Sequence, residues 1–586
     1  MLLDRQGNLV KPPPLSASRA AAVVDAAQVE VPLDPRVGSN LRLGDDPAAL
    51  PSNMRAQAEP HIARSPVNPD FLAATFQEGR FTDGGAVDCG YSISSDGGLT
   101  WSRALIPNLT QTTGGPYYRD TDPVAGIDLN GSVYLNTEGA TDVNFNTGIV
   151  LVSRSIDGGA TFGAPVVVYQ PASSSVFPDK NWLAINTFAG TSTVGRMVVT
   201  FTRFAGSASP IVRSYSDNGG ATWSQIAYIH STSTSAQGSQ PVFLPNGKVV
   251  IVYFNFGNSS LESVNSDDGG ATFGSRKLIT AVNQYDEPSI RTGSFLPSAV
   301  ADRTNNNLYV VYQARLSGNP RIAFTKSTDG GTTWTSPIAI SDNPSSSGVF
   351  NPVIAVSPNG QTLTASFYDH RNNPGSNTLV DLYLAQSFDG GATWQPNIRV
   401  TSVSTDASLA PLTSSGYMLG DYQGIAESIN ASVPAVPVWI DTRTGNPDPF
   451  IARIGISPQL NFASWQAARL SLGDISNPAR GGLNGDADLD GKRNLLEYSM
   501  GTPPRQADTV GVTIEQVGTV FSITYPRLKA ATDVSLHAFR STDLAGWTNA
   551  GVTETMVSDD GTIQIWRAST AAAFPATFFR LQATQP

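Results

Sequence analysis

One eight-residue pattern recurs six times along the chain: SSDGGLTW (94–101), SIDGGATF (155–162), SDNGGATW (216–223), SDDGGATF (266–273), STDGGTTW (327–334) and SFDGGATW (387–394). The shared form is S-x-D-x-G-x-T-W/F, with Asn218 in the Asp position of the third copy, and successive Asp positions lie 61, 61, 50, 61 and 60 residues apart. A fixed period of this length marks a repeat architecture and overrides any estimate of domain number from the 586-residue length. The motif itself reads as a tight turn. Gly supplies positive φ, the Ser and Asp side chains bond nearby backbone N–H groups, and the Trp or Phe packs inward.

Between the turns lie short β-rich runs such as VYLNTE, MVVTFTR, VVIVYF, LYVVYQAR and LTASFYD. With 54 Gly, 40 Pro and only 15% charged residues, the chain is turn-rich and charge-poor, as a large all-β protein is. About four strands per 60-residue unit is a propeller blade. The net charge of −11 excludes nucleic acid or an anionic membrane as the main partner. A single cysteine, Cys89, excludes internal disulfides and cysteine-cluster metal sites, and the reading here is a small buried residue. No apolar run approaches a membrane span, and the opening MLLDRQGNLVKPPP lacks the apolar core of a signal peptide.

The repeated turns resemble the Asp-boxes of the sialidase superfamily and related β-propeller glycosidases, over roughly residues 37–456. Units open on EPHIA (59–63), TDPVAGI (121–127), DKNWLAI (179–185), SQPVFL (239–244), LPSAVA (296–301) and NPVIAV (351–356). A seventh unit without the motif follows: GDYQGIA (420–426), VPVWIDTR (436–443) and FIARIGI (450–456). Its fourth strand is expected from GSNLRLG (38–44), since pairing the N-terminal strand with the last blade removes an open edge. The expected fold is therefore all-β: a propeller of seven blades, six being the alternative, with a small C-terminal β-module. The expected divisions are an extension at 1–36, the propeller at 37–456, a linker with a calcium loop at 457–507, and the β-module at 508–586.

In NGDADLDGKRNLLEYSMG, Asp486, Asp488, Asp490, Gly491, Asn494 and Glu497 occupy positions 1, 3, 5, 6, 9 and 12 of an EF-hand-like loop. Five side chains and the Lys492 backbone carbonyl are expected to bind one structural Ca²⁺. The alternative is an acidic polar loop. A loop of this kind fills where calcium is millimolar, so a secreted or cell-surface protein is expected. The β-rich remainder with STDLAGW and FFRLQ resembles C-terminal modules of secreted bacterial proteins, which implies attachment to the cell surface as a role.

In a propeller the starts of first strands and the ends of second strands share one face. Those positions supply Glu59, Arg119, Asp120, Asp122, Asp179, Lys180, Asp421 and Tyr422, then Glu78, Arg80, Glu138, Arg203, Arg315, Asp369, Arg371, Asp441 and Arg443. Glycoside hydrolysis pairs an acid with an ionised carboxylate. The sialidase resemblance implies instead a Tyr nucleophile assisted by a Glu, an Asp acid/base, and three arginines on a substrate carboxylate, whose geometry suits Arg. The family's Arg-Ile-Pro motif is replaced here by MRAQAEPHIA. Candidate catalytic residues are Asp120, Asp122, Asp179 and Tyr422; candidate substrate-binding residues are Arg80, Arg119, Arg203, Arg315, Arg371 and Arg443. For Asp369/Arg371 and Asp441/Arg443 the competing reading is an ion pair between blades, and for the loop carboxylates it is turn capping. Neither a metal triad of histidines nor a phosphate loop stands out, so no catalytic cofactor is expected. Two functions remain: a secreted sialidase-like hydrolase releasing a terminal sugar of a glycan, acidic sugars included, or a non-catalytic propeller binding glycan or protein. A polyuronide lyase or neutral-glycan hydrolase on the same scaffold stays open.

Overall fold

Each repeat places its apolar runs so that whole strands are buried on both faces, as in Val249–Asn255 and Leu363–Asp369. The computed structural model describes residues 2–3, 9–10, 30–31, 33–34, 36–50, 55–427, 433–455, 461–507, 511–559, 563–572 and 576–585. These divide into two units, one holding 39–427 and 435–452, the other 453–585 with 33–38.

Among the described residues the first unit contains seven antiparallel sheets of four strands, the sixth with a fifth short strand at Thr405–Asp406, and the first two joined by the single pair Ala86–Asp120. Their first strands are Gln57–Arg64, Arg119–Ile127, Val176–Ile185, Ala236–Phe243, Ser298–Ala301, Val349–Val356 and Gly424–Ala426. Each touches the first strand of the next sheet, and the seventh returns to the first, closing the cycle. This is a β-propeller. The seventh sheet takes its outer strand from the other end of the chain, Leu41 and Arg42 pairing with Ile451 and Phe450. The core is divided among the gaps between neighbouring sheets, for instance Leu135, Leu151, Ile127 and Ile93 between the first and second. Between the sixth and seventh, the buried Tyr368 hydroxyl donates to the Ile440 carbonyl (2.8 Å) and accepts from its N–H (3.0 Å).

The six motif copies turn the chain from third to fourth strand in sheets one to six. In the last copy, Asp389 Oδ1 accepts from the Ala392 and Thr393 N–H groups at 3.0 and 2.8 Å, and Ser387 Oγ accepts from Gly391 N–H at 2.9 Å. Gly390 and Gly391 have φ of 67° and 79°, which a side chain would strain. Asn218 keeps the acceptor role toward Thr222 N–H (3.0 Å) but donates through Nδ2 to the Thr222 hydroxyl, where every Asp accepts.

The second unit carries helices Phe462–Arg469, Leu472–Ser476 and Asn494–Met500, a four-stranded sheet and a two-stranded one. Phe462, Trp465, Tyr498 and Leu528 form part of its core.

Because Asn218 shows that an amide preserves the turn, Asp389→Asn should cost under about 1 kcal/mol and Asp389→Ala about 1–2 kcal/mol, from the lost hydrogen bonds. Denaturant unfolding checks this. No motif residue lines the central cavity described below, so neither change should alter ligand binding.

Candidate active site

Five of the seven first strands share one backbone irregularity. The pairing with the second strand slips by one residue between Ala58 and His61, Thr121 and Val124, Asp179 and Trp182, Gln237 and Gln240, and Phe350 and Val353. Such a bulge bends the strand and re-aims its side chains. In each, one residue adopts positive φ: Glu59 (53°), Asp122 (51°), Lys180 (57°), Gly238 (72°) and Asn351 (50°). Glycine fills this conformation without strain, but only one of the five is glycine. Charged residues held there instead project into a cavity of about 780 Å³ lined by Glu59, Arg80, Asp122, Asp179, Lys180, Asp286, Glu287, Arg291 and Asp421.

Two long connections complete the wall. Ile290 and Arg291, after the fourth sheet, pair in parallel with Tyr417 and Met418, before the seventh. The small sheet so formed holds Arg291, which donates from Nε to Asp421 Oδ1 at 2.9 Å and from Nη2 to Asp421 Oδ2. Burial acts against the Asp421 charge, but Arg291 outweighs it and the carboxyl is held below its usual range. Glu59 behaves oppositely. Burial, with the negative charges of Asp122 and Asp421, pushes its pKa well up, and its carboxylate accepts a hydrogen bond from Gln77 Nε2 at 2.6 Å. One cavity thus holds a carboxyl pushed toward its neutral form and another pushed toward its ionised form. Asp179 is raised to about 6 by burial and Asp122, and Lys180 is lowered to about 8 by burial. The Lys180 ammonium rests 4.0 and 3.9 Å from the ring centres of Trp182 and Tyr422.

Of the catalytic candidates, Asp122 and Asp179 line the cavity. Asp120 does not: it is fully buried, accepting from the Thr137 hydroxyl at 3.1 Å. The buried Tyr422 phenol donates to the Pro123 carbonyl (3.2 Å), and burial together with Glu59 and Asp122 opposes its ionisation. Among the arginines, Arg80 reaches the cavity, with Nη1 on the Gly85 carbonyl at 2.8 Å. The other five are not among the residues that line it. Arg119 pairs with Asp83 at 2.7 Å, Arg203 reaches the Tyr169 hydroxyl at 3.3 Å, and Arg315 caps the Gly318 carbonyl at 3.2 Å. Arg371 binds Asp369 and Asp342, and Arg443 binds Asp441, Ser402 and Asn40. The Asp-x-Arg pairs close within each motif, and the guanidinium then extends to a neighbouring segment. Sequence reasoning missed Arg291, Glu287 and Tyr285, whose hydroxyl donates to Glu287 Oε2 at 2.5 Å. The charge-dense DEPSIR (286–291) in a charge-poor chain was the available signal.

In the second unit, Asp486, Asp488 and Asp490 each offer an oxygen within 4.8 Å of the others. Positive φ at Leu489 (66°) and Gly491 (93°) curls the loop, and buried Asn494 and Glu497 follow on the helix. Asn494 Nδ2 donates to the Gly482 carbonyl (3.0 Å), while its Oδ1 and Asp488 Oδ2 accept no hydrogen bond from any described residue. The Lys492 ammonium lies 2.8 Å from Asp490 Oδ2. An all-oxygen donor set suits a hard cation.

No protein-family description and no curated protein sequence matches the chain. Solved structures with similarity include the Hadza microbial sialidase (16% identity, TM-score 0.39, covering 53% of this chain and 63% of that one). The NanB sialidase of Streptococcus pneumoniae is 11% identical (TM-score 0.41, 64% and 72%), and the α-L-arabinanase of Penicillium chrysogenum 14% (TM-score 0.40, 61% and 99%). The chain spans under two thirds of the Hadza enzyme's length. Identities this low transfer no residue roles.

Asp421→Ala leaves the Arg291 guanidinium largely buried without its counter-ion and should destabilise by about 3–5 kcal/mol. Lys248→Ala, which breaks an exposed pair with Asp267, should change stability by under about 1 kcal/mol. Chemical denaturation of both variants tests the contrast.

Proposed function

We propose that the propeller is a glycoside hydrolase that releases a terminal sugar from glycans, with an acidic sugar as the favoured substrate. The observation that carries this reading is the pair Glu59 and Asp421, which line one cavity and are pushed in opposite directions, the first toward its neutral and the second toward its ionised form. Environments that drive two carboxyls apart assign the acid and its ionised partner. Glu59 gives its proton to the glycosidic oxygen as that C–O bond breaks, and the ionised carboxylate, oriented by Arg291, supports the incoming nucleophile at the anomeric carbon. Arg80 supports the acidic substrate, because it lines the cavity and its Nε meets no acceptor among the described residues.

The finer, sialidase-like reading draws support from Tyr285 and Glu287, a phenol that donates a hydrogen bond to a carboxylate of the cavity wall. Glu59→Gln should lower turnover of a responsive aryl glycoside by a factor on the order of 10² or more with folding intact. Within an aryl glycoside panel that includes the sialoside, a comparable loss in Tyr285→Phe assigns the tyrosine route. Unchanged turnover in Tyr285→Phe assigns the two-carboxyl route. No hydrolysis of any member, with glycan binding that survives Glu59→Gln, replaces the hydrolase by a binding propeller.

The acidic loop is proposed as a structural Ca²⁺ site formed by Asp486, Asp488, Asp490, Asn494, Glu497 and the Lys492 carbonyl, which supports an exported protein. Calcium should slow hydrogen exchange in the helix Asn494–Met500, and chelation should reverse this without raising exchange in Asp-box turns such as 387–394. Equal exchange with and without calcium would sink the assignment.

A further inference from the structure

We propose that a hard divalent cation, Ca²⁺, Mg²⁺ or Mn²⁺, binds in the propeller between Asp122, Glu138 and Asp179. The three carboxyls come from two neighbouring sheets and each offers an oxygen within 4.8 Å of the others. Their convergence follows from the bulges. Asp122 is the positive-φ residue of the second sheet's first strand, Glu138 pairs across from Thr121, and Asp179 immediately precedes the bulge of the third sheet.

Glu138 is the observation that points to a ligand. It is 0% exposed, and neither of its carboxylate oxygens accepts a hydrogen bond from any described residue. A buried carboxylate without partners is among the most costly groups a fold can hold. Space is nevertheless kept for it: a Cβ at Gly148 would lie 2.7 Å from Glu138 Oε1. The other two carboxyls are half satisfied. Thr121 Oγ1 donates to Asp122 Oδ1 at 2.9 Å and Gln237 Nε2 to Asp179 Oδ2 at 3.0 Å, leaving the second oxygen of each open.

Side-chain cations of the described residues do not fill the gap. Arg291 is committed to Asp421, Arg80 bonds the Gly85 carbonyl, and the Lys180 ammonium lies over two aromatic rings without a hydrogen bond. Three carboxylate donors and no imidazole or thiolate select an oxygen-preferring ion over zinc or copper. Asp122 and Asp179 also line the cavity, so the ion's remaining positions face the space where ligand enters, open to water, hydroxyl or carboxylate oxygens. The site does not depend on the hydrolase reading.

The test uses the full-length chain, stripped with chelator, in an Asp486→Ala/Asp490→Ala background that removes the loop site. Calorimetric titration with Ca²⁺, Mg²⁺ and Mn²⁺ should find one equivalent bound in that background. Adding Glu138→Gln should weaken it at least tenfold with the circular dichroism spectrum unchanged, and Asp179→Asn, at a less buried position, should do the same. The proposal is overturned if the background binds none of the three ions at millimolar concentration, or if both variants leave the affinity unchanged. A rise in Tm for Glu138→Gln with no metal effect in any variant would mean that protons, not a cation, neutralise the cluster. Because the readout is binding, metal uptake without glycoside turnover overturns only the hydrolase.

Discussion

The central cavity depends on a backbone defect repeated at one place in five first strands. An extra residue in each strand forces a left-handed conformation that costs on the order of 1–3 kcal/mol for a residue with a side chain. Glu59, Asp122, Lys180 and Asn351 all bear that cost, whereas Gly238 avoids it. The surrounding sheets, apolar on both faces and packed against one another, hold the strands too firmly for the bulges to relax. Rigid scaffolding of this kind lets charged groups be aimed into a shared space that hydrophobic burial alone would never fill with charge.

Much of this was legible in the sequence. Turn chemistry at a 60-residue period places every third-to-fourth strand connection of the first six sheets, because the Ser, Asp and Gly positions have few alternatives in that geometry. In EPHIA, TDPVAGI and NPVIAV the X-Pro step marks the bulge itself, and the residue before the proline, Glu59, Asp122 or Asn351, is the one at positive φ. Reading those openings simply as strand starts located Asp122 and Asp179 but did not reveal why their side chains turn inward.

The arginines were legible as positions and not as directions. A guanidinium at the end of a second strand has carbonyls and carboxylates of the sheet rim within reach, and Arg119, Arg203, Arg315, Arg371 and Arg443 take them. Arg291 stands on a long connection whose conformation is set by pairing with another connection more than a hundred residues later, between Ile290 and Tyr417. No local pattern reports such a contact. The same limit hid Glu138, which reads as one more residue of a buried strand until the neighbouring sheet brings Asp179 beside it.

Closing the seventh sheet with Leu41 and Arg42 has a consequence in time. Their partners, Ile451 and Phe450, lie some 410 residues further along, so a strand made early stays unpaired until nearly the whole propeller has been synthesised. Neighbouring sheets stack as they emerge, and the entropy of joining the two ends grows only logarithmically with the chain between them. The slow step of such a ring is therefore its clasp, a contact of very high sequence separation. Until it engages, residues 41 and 42 and the strand Asp448–Ile451 each present a free edge to any other strand nearby.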